Sequence, residues 1–133
     1  MIKKYDFQHY QELIVSFDYE LDAYNPSTEA IKEYAEILEK FDPINAPPGP
    51  EQKKPYILNY IVPILLEFAK DFKAQVIIEE LDDSVSIKLM TKEIIIIIYE
   101  NFELFKNILY YATSFIMKSE NDKIKLELYF RIK

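Results

Sequence analysis

Apolar and polar residues alternate along 13–22. Leu13, Val15, Phe17, Tyr19 and Leu21 share one side, with Ser16, Asp18, Glu20 and Asp22 on the other. Period two predicts a strand with one buried and one wet face. Leu13, Phe17 and Leu21 are also four apart, which is helical spacing, but the β-branched and aromatic content favours the strand. Asn25-Pro26-Ser27-Thr28-Glu29 supplies turn and N-cap residues. Ile31, Tyr34, Ala35, Leu38 and Phe41 then recur at helical spacing, predicting an amphipathic helix over Thr28–Phe41 that Asp42-Pro43 ends.

Residues 42–55 hold Pro43, Pro47, Pro48, Pro50 and Pro55 together with the single glycine, Gly49. That composition predicts a semi-rigid, extended crossover. A proline-rich ligand for a partner is the competing reading, but the flanking arginines many such ligands use are missing. A second helix is expected over 56–72. Ile57, Ile61, Leu65 and Phe68 belong to an apolar surface that covers most of its circumference, which places it mid-fold or at a subunit interface. Pro63 removes one hydrogen bond inside it and predicts a kink that frees the Asn59 carbonyl.

From Gln75 the texture turns extended. Val76–Leu81, Asp82-Asp83 and Ser84–Met90 predict a hairpin with an acidic turn. Thr91-Lys92-Glu93 makes the next turn. Ile94–Ile98 with Tyr99 reads as a central strand covered on both faces, flanked by Lys92, Glu93 and Glu100 as charged gatekeepers. Asn101 caps a third helix with Phe102, Phe105, Ile108, Leu109 and Ala112 as its stripe. That helix either runs on to Lys118 or yields near Thr113 to a strand over 114–119. The turn residues Glu120-Asn121-Asp122 favour the strand. Ile124, Leu126, Leu128, Phe130 and Ile132 alternate with polar residues to the end.

The order β-α-α-β-β-β-α-β-β predicts an α+β fold: an antiparallel sheet of about five to six strands, with about three helices packed mainly on one face. Residues 1–133 are expected to form a single domain. A strand and helix fill 1–41, the crossover 42–55, and a helix plus antiparallel sheet unit 56–133. Only about 41 residues precede the crossover, too few for a comfortable core of their own. The isoleucine run needs cover on its second face, from a homodimer or from the N-terminal segment folding back.

Composition narrows function mainly by exclusion. Among 133 residues there is one glycine, one histidine and no cysteine or tryptophan. Phosphate-cradling glycine loops, thiol chemistry, Cys-ligated zinc and multi-histidine metal sites therefore lack their raw material. Twenty-three acidic residues against sixteen basic ones give a net charge of −7, which opposes nucleic-acid binding. Arg131 is the only arginine. Neither a signal peptide nor a membrane span is expected, because the apolar stretch 56–69 is too short and carries Asn59 and Glu67. A cytoplasmic protein is the expectation, and abundant Ile, Lys, Tyr and Asn suggest an AT-rich bacterial or phage genome.

Candidate chemistry is sparse. Asp18, Glu20 and Asp22 share a strand face, but i and i+2 positions lie about 6.5–7 Å apart. That is too wide for three carboxylates to ligate one cation. Glu79, Glu80, Asp82 and Asp83 surround one turn, and Glu120 and Asp122 another, which turn chemistry and solubility explain. His9 has no nucleophile in a recognisable context. Eleven tyrosines, including the pair Tyr110-Tyr111, add area suited to interfaces. No catalytic, cofactor-binding or metal residue is assigned, and no cofactor is expected.

These readings favour a small acidic, non-enzymatic interaction or regulatory module that binds a protein partner or itself through a surface patch. The first alternative is a small-molecule-binding domain, or an enzyme without a motif, with its pocket between the kinked helix 56–72 and the sheet near Asn59. The second is an acidic inhibitor, an immunity-type protein or a nucleic-acid mimic that uses its carboxylates against a basic surface.

Overall fold

A computed structural model describes residues 2–6, 28–71, 74–92, 99 and 102–132. They form one antiparallel sheet with helices on one face, an α+β fold. The order is β1 (Ile2–Asp6), α1 (Thr28–Lys40), a helical segment α2 spanning 53–71, β2 (Gln75–Glu80), β3 (Ser84–Thr91), α3 (Phe102–Tyr111), β4 (Ser114–Glu120) and β5 (Lys123–Arg131). In space the strands run β1-β2-β3-β5-β4. The expected strand over 13–22 and the run Ile94–Ile98 lie outside the described residues.

Several expectations change in detail. β1 forms within a segment that shows no apolar alternation. Tyr99 is helical rather than extended, and it is exposed. The crossover is shorter than 42–55: Pro50–Gln52 is already a 3₁₀ turn and helix begins at Lys53. Pro55 is tolerated because a first-turn residue has no helical acceptor to lose. Gly49 is extended (φ −63°, ψ 163°), so the only glycine does not use its access to positive φ. On α1, Ala35 and Leu38 are exposed, while Ile37 and the following Phe41 reach the core. The ambiguity after α3 resolves as strand β4.

Two hairpins set the register. Asn121 and Asp122 both take positive φ (48° and 65°) between Glu120 and Lys123. That is the two-residue geometry whose twist matches the flanking strands. The β2–β3 turn closes through Leu81 N–H to the Ser84 carbonyl at 2.9 Å. β3 pairs with β5 along its whole length, bringing Val85, Ile87 and Leu89 opposite Phe130, Leu128 and Leu126. All six are essentially inaccessible. Ile57, Ile61, Ile64, Leu65 and Phe68 of α2 cover this row, together with Phe105 and Ile108 of α3. Phe68 and Phe105 stack at 5.2 Å, tying α2 to α3. The opposite face carries Lys88, Lys125, Glu127 and Arg131, none of them buried.

α2 is three segments in one: α-helix Lys53–Tyr56, a π turn Ile57–Ile61, and α-helix Val62–Asp71. Val62 N–H donates to the Ile57 carbonyl, five residues back. The irregularity stands immediately before Pro63, which has no N–H to continue the ladder. The disturbance expected from Pro63 thus takes the form of a widened turn.

Candidate interaction edge and cleft

Among the described residues the sheet has two edges, β1 and β4, and they differ sharply. β1 is five residues long and carries Lys3 and Lys4, charges of the kind that discourage strand addition. β4 is seven residues long and exposed at every position. Its first half carries Phe115-Ile116-Met117, each about half exposed. Phe115 is paired with Leu128 and Met117 with Leu126, so they extend the core rows past the last covered strand. Ile116, paired with Glu127, lies on the outer face beside a shallow depression of about 130 Å³. β4 therefore offers a strand edge and apolar side chains on both faces.

The β4–β5 hairpin is held by charge as well as by its turn. Lys125 Nζ lies 2.9 Å from Glu120 and 3.1 Å from Glu127. Hydrogen bonding to Lys125 lowers the Glu120 pKa, and bonding to both carboxylates raises that of Lys125. These groups are engaged within the hairpin, which leaves Lys118 as the other charge on β4.

A second feature lies across the sheet, between α2 and the β1–β2 edge. A partly open cleft of about 360 Å³ is lined by Lys3, Tyr5, Asn59, Pro63, Leu66 and Glu80, among others. It coincides with the π turn and with the place the sequence marks through Asn59 and Pro63. At its rim Lys54 Nζ contacts Glu80 at 3.1 Å and donates to the Leu81 carbonyl at 2.9 Å, fastening α2 to the hairpin. A third cluster joins α2 to α3 through Tyr56, with Tyr60 at 4.9 Å and Tyr111 at 5.5 Å between ring centroids. Lys53 Nζ lies 5.9 Å from the Tyr111 ring centre. Among the described residues the buried hydroxyls of Tyr56 and Tyr111 have no hydrogen-bond partner of good geometry. Burial pushes both phenols up to about 12, and the nearby Asp42 backbone only partly offsets this at Tyr56.

Among the described residues the acidic positions do not converge. Glu79 and Glu80 project to opposite faces of β2, and Asp82 and Asp83 are exposed at the turn. Among the described residues no three His, Asp or Glu side chains are grouped to hold a metal ion, and no helix is long and apolar enough to cross a membrane. Asp18, Glu20, Asp22 and His9 lie outside the described residues. Tyr110 is exposed while Tyr111 is half-buried, so that pair does not act as one surface. Sequence reasoning identified the strand 114–119 but not its apolar centre as a surface feature. Comparison with protein-family models, with characterised proteins and with solved structures finds no match to this chain.

Proposed function

We propose that the chain is a non-enzymatic protein-interaction module that works by strand addition at β4. One observation carries this reading: all seven β4 residues are exposed and, among the described residues, form a sheet edge that carries apolar side chains on both faces. Soluble domains usually blunt such an edge with charge, proline or a covering element, and the opposite edge of this sheet carries two lysines. Strand addition supplies main-chain hydrogen bonds for affinity, with alternate side chains giving specificity. The test is affinity capture from the native host, comparing the wild type with the triple variant F115S/I116S/M117S. Loss of a reproducible partner in the variant supports the reading. A wild type that retains neither a host protein nor a second copy of itself overturns it.

The cleft beside Asn59 favours a second reading, a small-molecule site of modest size. Its volume lies at the lower end of typical ligand pockets, and its lining combines apolar side chains with an amide, a phenol and charged groups. Ligand-observed NMR against metabolite mixtures, with Asn59→Leu as the control, tests it. Binding unaffected by that substitution would place the ligand elsewhere.

A further inference from the structure

We infer that the partner seated on β4 is a second copy of this chain, paired antiparallel about a two-fold axis at Ile116; this rests on the strand-addition reading and names its occupant.

Three observations select a second copy. First, the strand is self-complementary. In an antiparallel pair, directly opposite residues share a face. Centring the axis on Ile116 sets Ile116 against its own counterpart on the outer face, and Phe115 against Met117 on the inner face. Ser114 then faces Lys118. Centring on Met117 leaves Phe115 against Ser119 and Ile116 against Lys118, while centring on Lys118 sets two lysines against each other. Only the first of these three registers matches all three apolar residues with apolar partners and opposes no like charges.

Second, among the described residues the core rows end without cover. Leu126 and Leu128 are buried, while their ladder neighbours Met117 and Phe115 are about half exposed. A second copy continues both rows into identical rows and joins the five described strands of each copy into one sheet.

Third, the local charge permits self-contact. The chain carries −7 overall, yet residues 114–132 hold four basic side chains (Lys118, Lys123, Lys125, Arg131) against three acidic ones (Glu120, Asp122, Glu127). The acidic excess that would drive two copies apart lies elsewhere in the sequence. An acidic partner would find little positive potential to meet here.

The absence of native cysteine makes the register directly measurable. Opposite residues of an antiparallel pair have Cα atoms about 4.5–5.5 Å apart, inside the range a disulfide spans. Under mild oxidation of the full chain, I116C is expected to form a covalent dimer at least tenfold faster than K118C, whose two copies would lie about 13 Å apart along the strands. M117C reports the neighbouring register. Light scattering should give a wild-type mass near twice 15.9 kDa, falling to the monomer mass in F115E/M117E, with circular dichroism confirming that the variant folds.

A wild type that stays monomeric at high concentration overturns the inference, as does a dimer in which M117C cross-links faster than I116C. A monomer whose β4 amides are nonetheless protected from hydrogen exchange overturns it by showing that the chain covers its own edge. If the wild type is monomeric but captures a host protein that F115S/I116S/M117S loses, self-pairing falls while the interaction reading stands.

Discussion

Phe115 and Leu128 stand directly opposite one another across the β4–β5 ladder, yet Leu128 is 1% exposed and Phe115 is 51% exposed. The core boundary therefore passes between two paired residues, and their substitutions should separate folding from association. Leu128→Ala opens a cavity beneath α2 and α3 and is expected to cost about 2–5 kcal/mol. Phe115→Ser removes a side chain already half in water and should cost under about 1 kcal/mol in the isolated chain. Urea unfolding at low concentration reads both. A loss for Phe115→Ser as large as that for Leu128→Ala would mean that Phe115 belongs to the core.

The Asn121-Asp122 turn should discriminate by backbone conformation alone. Both residues hold positive φ, which costs an ordinary L-residue about 1–2 kcal/mol. Asn121→Val is expected to destabilise by at least about 1 kcal/mol, because asparagine tolerates this region better than a β-branched residue. Asp122→Gly creates the Asn-Gly pair that such turns prefer and should be neutral or slightly stabilising. Denaturant midpoints of the two variants moving in the same direction would contradict this account.

Gly49 offers the reverse case. Its φ of −63° suits any residue, and an added Cβ would meet nothing within 4 Å. Gly49→Ala should stabilise by about 0.4–1 kcal/mol through the unfolded chain, which loses conformational freedom without any new native contact. Thermal unfolding at matched concentration checks this; a lower midpoint would show that the loop needs glycine for another reason.

Both hairpins were legible because strand pattern and turn residues agree: Val76–Leu81 and Ser84–Met90 read as strands joined by Asp82-Asp83, and 114–119 and the final alternating run as strands joined by Glu120-Asn121-Asp122. β1 was not, since an edge strand of Ile-Lys-Lys-Tyr-Asp buries little and shows no period. The π turn was legible only as a disturbance at Pro63, because composition does not say which hydrogen-bond register a helix adopts around a proline. The cleft near Asn59 lies beside that disturbance. The β4 surface escaped for a different reason: Phe115-Ile116-Met117 reads like a strand covered on both sides. Its exposure depends on the order β3-β5-β4, a long-range property that local pattern does not encode.

Lys54 and Glu80 join α2 to the β2–β3 hairpin, but both side chains are about one-third exposed. Their coupling in a K54M/E80Q double-mutant cycle should be about 0.2–1 kcal/mol and shrink in 1 M salt. Lys54→Met should cost somewhat more than Glu80→Gln, because Lys54 also donates to the Leu81 carbonyl. Coupling that persists in high salt would indicate a pair better shielded from water than this geometry allows.

Tyr56 and Tyr111 give stability a dependence on alkaline pH. Their buried phenols ionise near 12 in the folded chain, against an ordinary value of 10.0. Below pH 10 both states hold these protons, and the folded form keeps its full stability. Between pH 10 and 12 the unfolded chain releases them while the folded chain retains them, so the equilibrium moves toward unfolding. Stability from these groups should therefore fall across that window, and the Y56F/Y111F double variant should flatten the fall. The same variant also removes two buried hydroxyls that, among the described residues, have no partner of good geometry, so at neutral pH it should be no less stable than the wild type and up to a few kcal/mol more stable (about 1–3 per relieved group as an upper bound, less at Tyr56, where the Asp42 backbone stands near). Denaturant unfolding from pH 8 to 11.5, with absorbance at 295 nm to follow phenolate formation, measures both effects. If Tyr56 and Tyr111 titrate near pH 10 in the folded protein, water reaches these hydroxyls and the aromatic junction between α2 and α3 is looser than the ring distances imply.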